Sequence, residues 1–200
     1  MTDMPDGYAI RLAIDSDLPA LQEVDLDASR LFEPTGLIVE EDGPTAIPLT
    51  NLMMGLDQKL LFVVTSPFGD AVGFALASER KPDLYLDQIS VSLAHGKRGL
   101  GAALLYRIIE EADRRGLSGV VLSTFRDLPW NGPFYARHGF VELPQSRLKG
   151  WMRALEKIQS ESMDVSLRCF MRRPGAQDGK WIRRPQKNTA DKATENETGV

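Results

Sequence analysis

Hydrophobic residues along this chain change their period several times, and each change marks an element. Residues 8–13 alternate apolar with other side chains, which predicts a first strand. Asp15, Ser16 and Asp17 then offer an N-cap, with Pro19 in the first turn. Leu18, Leu21, Val24 and Leu26 carry a helix from there to about Arg30. The segment 31–36 breaks it, 40–44 reads as an exposed acidic loop, and Pro48 opens a short helix to about Asp57. Three strands follow in close order at 60–65, 71–78 and 84–91, separated by turn residues at 67–70 and 80–83 that predict hairpins. Past a glycine-bearing turn at 95–101, Leu100, Leu104, Leu105, Ile108, Ile109 and Ala112 take up the helical period, with Gly116 as the stop. Residues 119–125 predict a buried strand parallel to 84–91, because a helix joins the two. A turn-rich link, a short helix at 134–138, a short strand at 140–143, a basic helix over about 147–161 and a closing strand at 165–171 complete the pattern. The order predicts one α+β domain with a mixed sheet over residues 8–173, preceded by a short lead at 1–7. From Pro174 onward Trp181 and Ile182 are the only large apolar residues before a run of Asn, Thr, Asp, Lys, Glu and Gly, which reads as a flexible tail over 174–200.

Composition narrows the function classes. Two hundred residues, 42% of them hydrophobic, suffice for one well-cored domain. Against 28 acidic residues stand 24 basic ones, a formal charge of −4 that argues against a dedicated nucleic-acid binder. A single cysteine, Cys169, excludes an internal disulfide, and with only His95 and His138 beside it no metal site is expected. The acidic N-terminus has no following apolar region of a signal peptide, and no apolar run approaches the ~18 residues of a membrane span. A cytoplasmic protein without membrane contact is the expectation.

The chemistry centres on residues 84–115. A strand, a glycine turn and a helix in succession aim backbone N–H groups and a positive helix end at an anion. Glycines at a helix start also serve packing alone. The turn lacks the Gly-Lys-Ser/Thr of a Walker loop, and Leu104 stands where a dinucleotide fold has its third glycine. N–H groups from Arg98, Gly99, Leu100, Gly101, Ala102 and Ala103 are the candidate cradle for an anionic phosphate. On the strand, Asp87 shares side-chain parity with Tyr85, so both face one cleft, and a mid-strand aspartate is a candidate base against the alternative of a solvent-facing acid.

The segment Val-Ser-Leu-Ala-His-Gly-Lys-Arg-Gly-Leu-Gly-Ala-Ala-Leu-Leu at 91–105 resembles the acetyl-CoA-binding motif of the GCN5-related N-acetyltransferase (GNAT) superfamily. Pro-Phe-Tyr-Ala-Arg-His-Gly-Phe at 133–140 resembles the same superfamily's second signature. The resemblance implies a central, mostly antiparallel mixed sheet of about seven strands flanked by helices. It departs from the pattern at three places: Gly96 stands where the motif opens with Gln or Arg, Leu128 where many relatives have asparagine, and Tyr85 and Ser123 where two branches carry a glutamate base.

What the resemblance implies is an acetyl-CoA-dependent transfer of an acetyl group to a primary amine of a small molecule or peptide, in a ternary complex. Ile89, Val91 and Leu93 would hold the pantetheine arm and thioester carbonyl through backbone groups, and Tyr135 would protonate the departing thiolate. Asn131 is a cofactor contact or a cap for the helix that follows. Phe32, Glu33 and Tyr85 are candidate acceptor-site residues, Glu33 and a water relay being the alternatives to Asp87 as base. His95 and His138 read as turn and helix-end residues and Cys169 as core. The basic run from Arg168 through Lys187 reads as a solvated tail. A homodimer is possible in such a family. The rival readings are a longer acyl-CoA substrate and a catalytically silent acyl-CoA sensor.

Overall fold

A computed structural model describes residues 4–37 and 45–176 of the chain. Its strands are β1 (Ala9–Leu12), β2 (Leu61–Thr65), β3 (Ala71–Arg80), β4 (Asp83–Val91), β5 (Gly119–Phe125), β6 (Val141–Glu142) and β7 (Arg168–Pro174). The helices are α1 (Leu18–Ser29), α2 (Leu49–Asp57), α3 (Leu100–Arg114), α4 (Gly132–Arg137) and α5 (Gly150–Gln159). All seven strands form one sheet in the order β1-β2-β3-β4-β5-β7-β6. Every neighbouring pair is antiparallel except β4 and β5, which α3 connects as a crossover.

The two faces of the sheet are covered differently. On one, the apolar stripe of α3 (Leu100, Leu104, Leu105, Ile108) packs on Phe62, Ala75, Leu86 and Leu122 as a single core. Each such buried leucine removes enough apolar surface to be worth ~1.5–3 kcal/mol. The opposite face carries two separate patches. Leu21 and Val24 of α1 with Leu52 of α2 cover Leu61, Val63, Phe74 and Leu76, while Met152 of α5 covers Tyr85, Val121 and Phe170. Polar side chains occupy the floor between the patches.

Two irregularities shape that floor. Between β3 and β4, Leu76 lies opposite Gln88 but Ala77 opposite Leu86, so Asp87 is the extra residue of a β-bulge. Between β4 and β5, pairing runs only from Leu84–Val120 to Leu86–Leu122. Beyond Leu86 the two strands part and open a wedge in the middle of the sheet.

Elements differ from the pattern-based expectation at their ends. The closing strand, expected over 165–171, begins at Arg168, because the Asp164 carboxylate accepts the Ser166 N–H at 2.9 Å and holds 165–167 in a turn. The expected helix from 147 starts at Gly150, after one short turn at Gln145–Arg147 and an extended Leu148. The expected loop at 40–44 lies outside the described residues. So does most of the expected tail, with Lys180, Trp181, Arg183, Arg184 and Lys187.

Candidate active site

The wedge leaves one edge of β4 bare. Ser92 N–H donates to Val72 O across β3 at 2.9 Å. By strand alternation Ser90 and Ser92 aim their peptide groups at β3, and Ile89 and Val91 aim theirs at the edge β5 has left. Leu93 differs from the other two backbone candidates. Its N–H is already taken by Asp27 Oδ2 of α1 at 2.7 Å and its carbonyl accepts the Gly96 N–H at 3.2 Å, which leaves an exposed side chain.

The turn that follows is held from two sides, by this Asp27 bond and by Tyr8 Oη against His95 Nδ1 at 2.8 Å. Lys97 and Gly99 both take positive φ, 57° and 79°. That double reversal places α3 with Gly99 as its N-cap residue. The first helical bond runs from Ala103 N to Gly99 O, so the N–H groups of Leu100, Gly101 and Ala102 have no intrahelical acceptor. A Cβ built on Gly101 would meet nothing within 4 Å, so the helix start opens onto free space. At Gly96, where the motif has a polar side chain, a Cβ would lie 3.3 Å from Leu93 O. Arg98 is exposed beside the open turn.

Asn131 sits at the N-cap position of α4 but does not cap it with its side chain. Its Nδ2 donates instead to Thr124 Oγ1 on β5 at 2.8 Å. The Asn131 Oδ1 is buried with no partner among the described residues, which corrects the capping expectation and leaves an acceptor waiting beside the wedge. These features fit a CoA thioester: free N–H groups at a helix start for its diphosphate, an open cradle at Gly101, and an orphaned amide oxygen for its arm.

On the other side of the wedge lies the polar floor. Asp87 shares the Tyr85 side of β4, as the parity argument expects, and Ser78 on β3 pairs with Tyr85 in register. Asp87 opens to solvent along the cleft, yet enough protein surrounds the carboxyl to push its pKa up to about 6, with Ser78 and Arg80 pulling the other way. Ser78 Oγ acts on that carboxylate without a hydrogen bond of good geometry, and Trp151 Nε1 of α5 is likewise buried without a partner among the described residues. Trp151 lies edge-on to Tyr85, with ring centres 5.2 Å apart, and Arg80 stacks over it.

Tyr135 is held by α4, where its N–H donates to Asn131 O at 3.0 Å and its ring packs edge-on against Phe134 and Phe140. Burial pushes its phenol pKa above the ordinary value, and the Arg168 cation opposes that shift. Tyr85 is raised by burial and then by Asp87, with Arg168 and Arg80 opposing. Tyr85 thus feels the charges of Asp87 and Arg168, and Tyr135 feels that of Arg168.

Of the remaining candidates, Phe32 reaches the site's rim, stacking on Phe125 at 5.8 Å and Trp130 at 6.1 Å. Glu33 does not reach the floor: it is exposed and lies 3.9 Å from Arg30. His138 Nδ1 bonds to Phe134 O within α4, and Cys169 is buried in the core with its thiol pKa pushed up to about 11 by burial. Pattern reading passed over Asp25, whose buried carboxylate accepts from Gln88 Nε2, Ser90 Oγ and Ile47 N at 2.7–2.8 Å. Its signal was present, since Leu18, Leu21 and Asp25 fall at i, i+3 and i+7 on the apolar face of α1. Arg168, counted with the basic run, lies on β7 with its guanidinium bonded to Ser123 of β5.

Residues 27–140 match the family model of the Acetyltransferase (GNAT) family, more than half of the chain, and the protein belongs to that family. The fold is similar to that of the ribosomal-protein-S18-alanine N-acetyltransferase from Escherichia coli, at 18% identity and a TM-score of 0.62 over 88% of this chain and 99% of that one. It is also similar to N-acetylglutamate synthase from Neisseria gonorrhoeae complexed with coenzyme A and N-acetyl-glutamate, at 18% identity and 0.62 over 84% of this chain and 35% of that one. A PaiA N-acetyltransferase from Thermoplasma acidophilum in complex with coenzyme A matches at 14% identity and 0.60, over 84% and 98%. The protein is thus an acyltransferase of the acetyl-CoA-dependent family. Among the described residues no cluster of His, Cys, Asp and Glu could hold a metal ion, and no helix is long and apolar enough to cross a membrane.

Proposed function

We propose that the protein moves an acetyl group from acetyl-CoA to a primary amine of a small molecule or peptide by direct attack while both substrates are bound. The observation that carries this reading is Asp87. The β4 bulge sets a carboxylate with a pKa of about 6 on the acceptor side of the wedge, ionised at neutral pH and basic enough to take a proton from an ammonium. Acetyl-CoA supplies an acyl carbonyl activated as a thioester. The N–H groups from Arg98 to Ala102 hold the diphosphate, with Gly101 leaving room for its approach. Asn131 Oδ1 accepts a hydrogen bond from the pantetheine arm, and the peptide groups of Ile89 and Val91 hold that arm and polarise the reacting carbonyl.

Asp87 removes one ammonium proton, the freed nitrogen lone pair forms the C–N bond, the C–S bond breaks with its electron pair going to sulfur, and the second nitrogen proton passes to the departing thiolate to give the free thiol. Tyr135 donates its phenolic hydrogen in a hydrogen bond to the departing sulfur. Burial keeps that phenol protonated but makes it a weak acid, so its contribution is a hydrogen bond that strengthens as charge grows on sulfur, with Arg168 nearby adding positive potential. Two of the similar structures carry alanine of a ribosomal protein and glutamate in their names, which favours an amino group of an amino acid or peptide as acceptor.

The test has two arms. Saturating acetyl-CoA is expected to raise the melting temperature, and an unchanged value overturns the cofactor assignment. A panel of amino acids, peptides and polyamines is expected to contain acceptors that accelerate thiol release. No acceleration by any of them overturns the acceptor assignment.

A further inference from the structure

Arg168 is half-buried at the site, and no carboxylate among the described residues neutralises it. The ionisable groups that act on it are Tyr85, Tyr135 and Cys169, all neutral at physiological pH. Glu142, which acts on the adjacent Cys169, is held by Arg126 at 3.2 Å. The guanidinium is nevertheless fixed in place. Its Nε donates to Gln159 Oε1 of α5 at 3.2 Å, its Nη2 to Ser123 O and Oγ at 3.1 and 3.3 Å, and it stacks 4.7 Å from the Phe125 ring centre. Nη1 has no hydrogen-bond partner among the described residues. Burial without a compensating anion lowers the Arg168 pKa, which registers the cost of keeping the charge there. A staple between α5 and β5 needs hydrogen bonds but no charge. A rigid guanidinium with one arm open is a receptor for a carboxylate.

Its position relative to the candidate base follows from the strand register. Leu86 pairs with Leu122, so Asp87 and Ser123 stand level on neighbouring strands. The guanidinium, bonded to Ser123 O, lies above β5 on the same face. One strand spacing, about 5 Å plus the opening of the wedge, separates it from the line of β4. We infer that the acceptor is a small amino acid whose amine lies at Asp87 and whose free carboxylate pairs with the Nη1 edge of Arg168. This rests on the acetyl-transfer reading of the same cleft. A lysine side chain on a folded protein brings no carboxylate to this place.

The experiment compares amino acids with their own carboxamides, in two readouts. In thiol-release kinetics the free acids are expected to have KM values about 10- to 100-fold below those of the amides, the range of a charge-assisted hydrogen bond. In thermal shift of the CoA-loaded protein, N-acetyl amino acids are expected to stabilise it and N-acetyl amino-acid amides to do so far less. Arg168→Gln, which can still bond to Gln159 and Ser123, brings both acid-to-amide ratios close to one, and Arg168→Lys restores part of the preference. Folding of each variant is checked by its shift with CoA alone. Equal response of the wild type to acids and amides overturns the inference, as does a preference that survives in Arg168→Gln. Turnover without discrimination sinks the carboxylate site and leaves the acetyl-transfer reading standing. Discrimination in thermal shift without turnover does the reverse.

Discussion

Replacing Asp87 with asparagine separates what this residue does for chemistry from what it costs the fold. Its carboxyl pKa is raised from 3.8 to about 6, chiefly because burial disfavours the charged form. A raised carboxyl pKa means that the native state binds the proton more tightly than the unfolded chain. Stability therefore falls as pH rises from about 4 to about 6 and is level above that. The full shift would correspond to ~3 kcal/mol in a closed interior. Asp87 is open to the cleft and solvent screens it, so the cost of ionisation above pH 6 is roughly 1 kcal/mol. Asp87→Asn should accordingly melt higher than wild type at pH 7.5, and the difference should vanish near pH 4. Activity should move the opposite way. Wild-type kcat/KM for a fixed amine, bound as its ammonium, should fall about ten-fold for each pH unit below 6 as Asp87 becomes protonated. The variant should lose roughly 100-fold at pH 7.5 and show no inflection near 6. The assay is thiol release across pH 5–9 beside thermal melts in the same buffers. A variant that keeps the wild-type inflection, or that melts lower than wild type at pH 7.5, refutes the reasoning.

Tyr135→Phe should lower kcat about 100-fold while leaving the thermal shift with acetyl-CoA in place, and an unchanged kcat removes the phenol from the reaction. Gly101→Glu adds a side chain where nothing lies within 4 Å, so the unliganded protein should melt no lower than wild type. Its acetyl-CoA affinity, read by calorimetry, should nevertheless weaken about ten-fold or more as a carboxylate fills the diphosphate cradle, and unaltered affinity would place the diphosphate elsewhere. Asp25→Asn puts an amide donor among three donors that now share a carboxylate, and urea unfolding should show a loss of ~2–3 kcal/mol. A loss of only a few tenths would mean that the network is solvent-supported.

The order of elements was legible because each is written in its own period: β2 and β3 as short apolar runs, α3 as a broad stripe ending before Gly116. The cofactor half of the site was legible for a related reason. Its proposed parts are local, a strand, a turn and a helix start within twenty residues, and the groups proposed to bind belong to the backbone. The acceptor half depends on contacts between residues far apart in the chain. Asp25 meets Gln88 and Ser90 across more than sixty residues, and Arg168 meets Ser123 across forty-five. Polar residues of this sort are read from sequence as solvent-facing, because nothing local says what will cover them. The bulge at Asp87 was also invisible. A run of alternating residues does not disclose that its partner strand slips by one position between Leu76 and Ala77.

The short seam between β4 and β5 has a mechanical consequence. Among the described residues the β4–β5 ladder has three residue pairs, beside one further main-chain bond from Ser118 N–H to Pro82 O at 2.8 Å. The sheet is in effect two plates on a short seam, braced on one face by α3 and on the other by α5, whose Met152 packs on Tyr85, Val121 and Phe170 together. Small twists of one plate against the other open or close the wedge without breaking any long ladder. A molecule lodged between Val91 and Asn131, as proposed above, would act as a shim, and stiffness across the seam is expected to rise with its presence. Amide exchange at Leu84–Leu86 should report that stiffness directly, slowing on acetyl-CoA binding while the β2–β3 ladder exchanges as before.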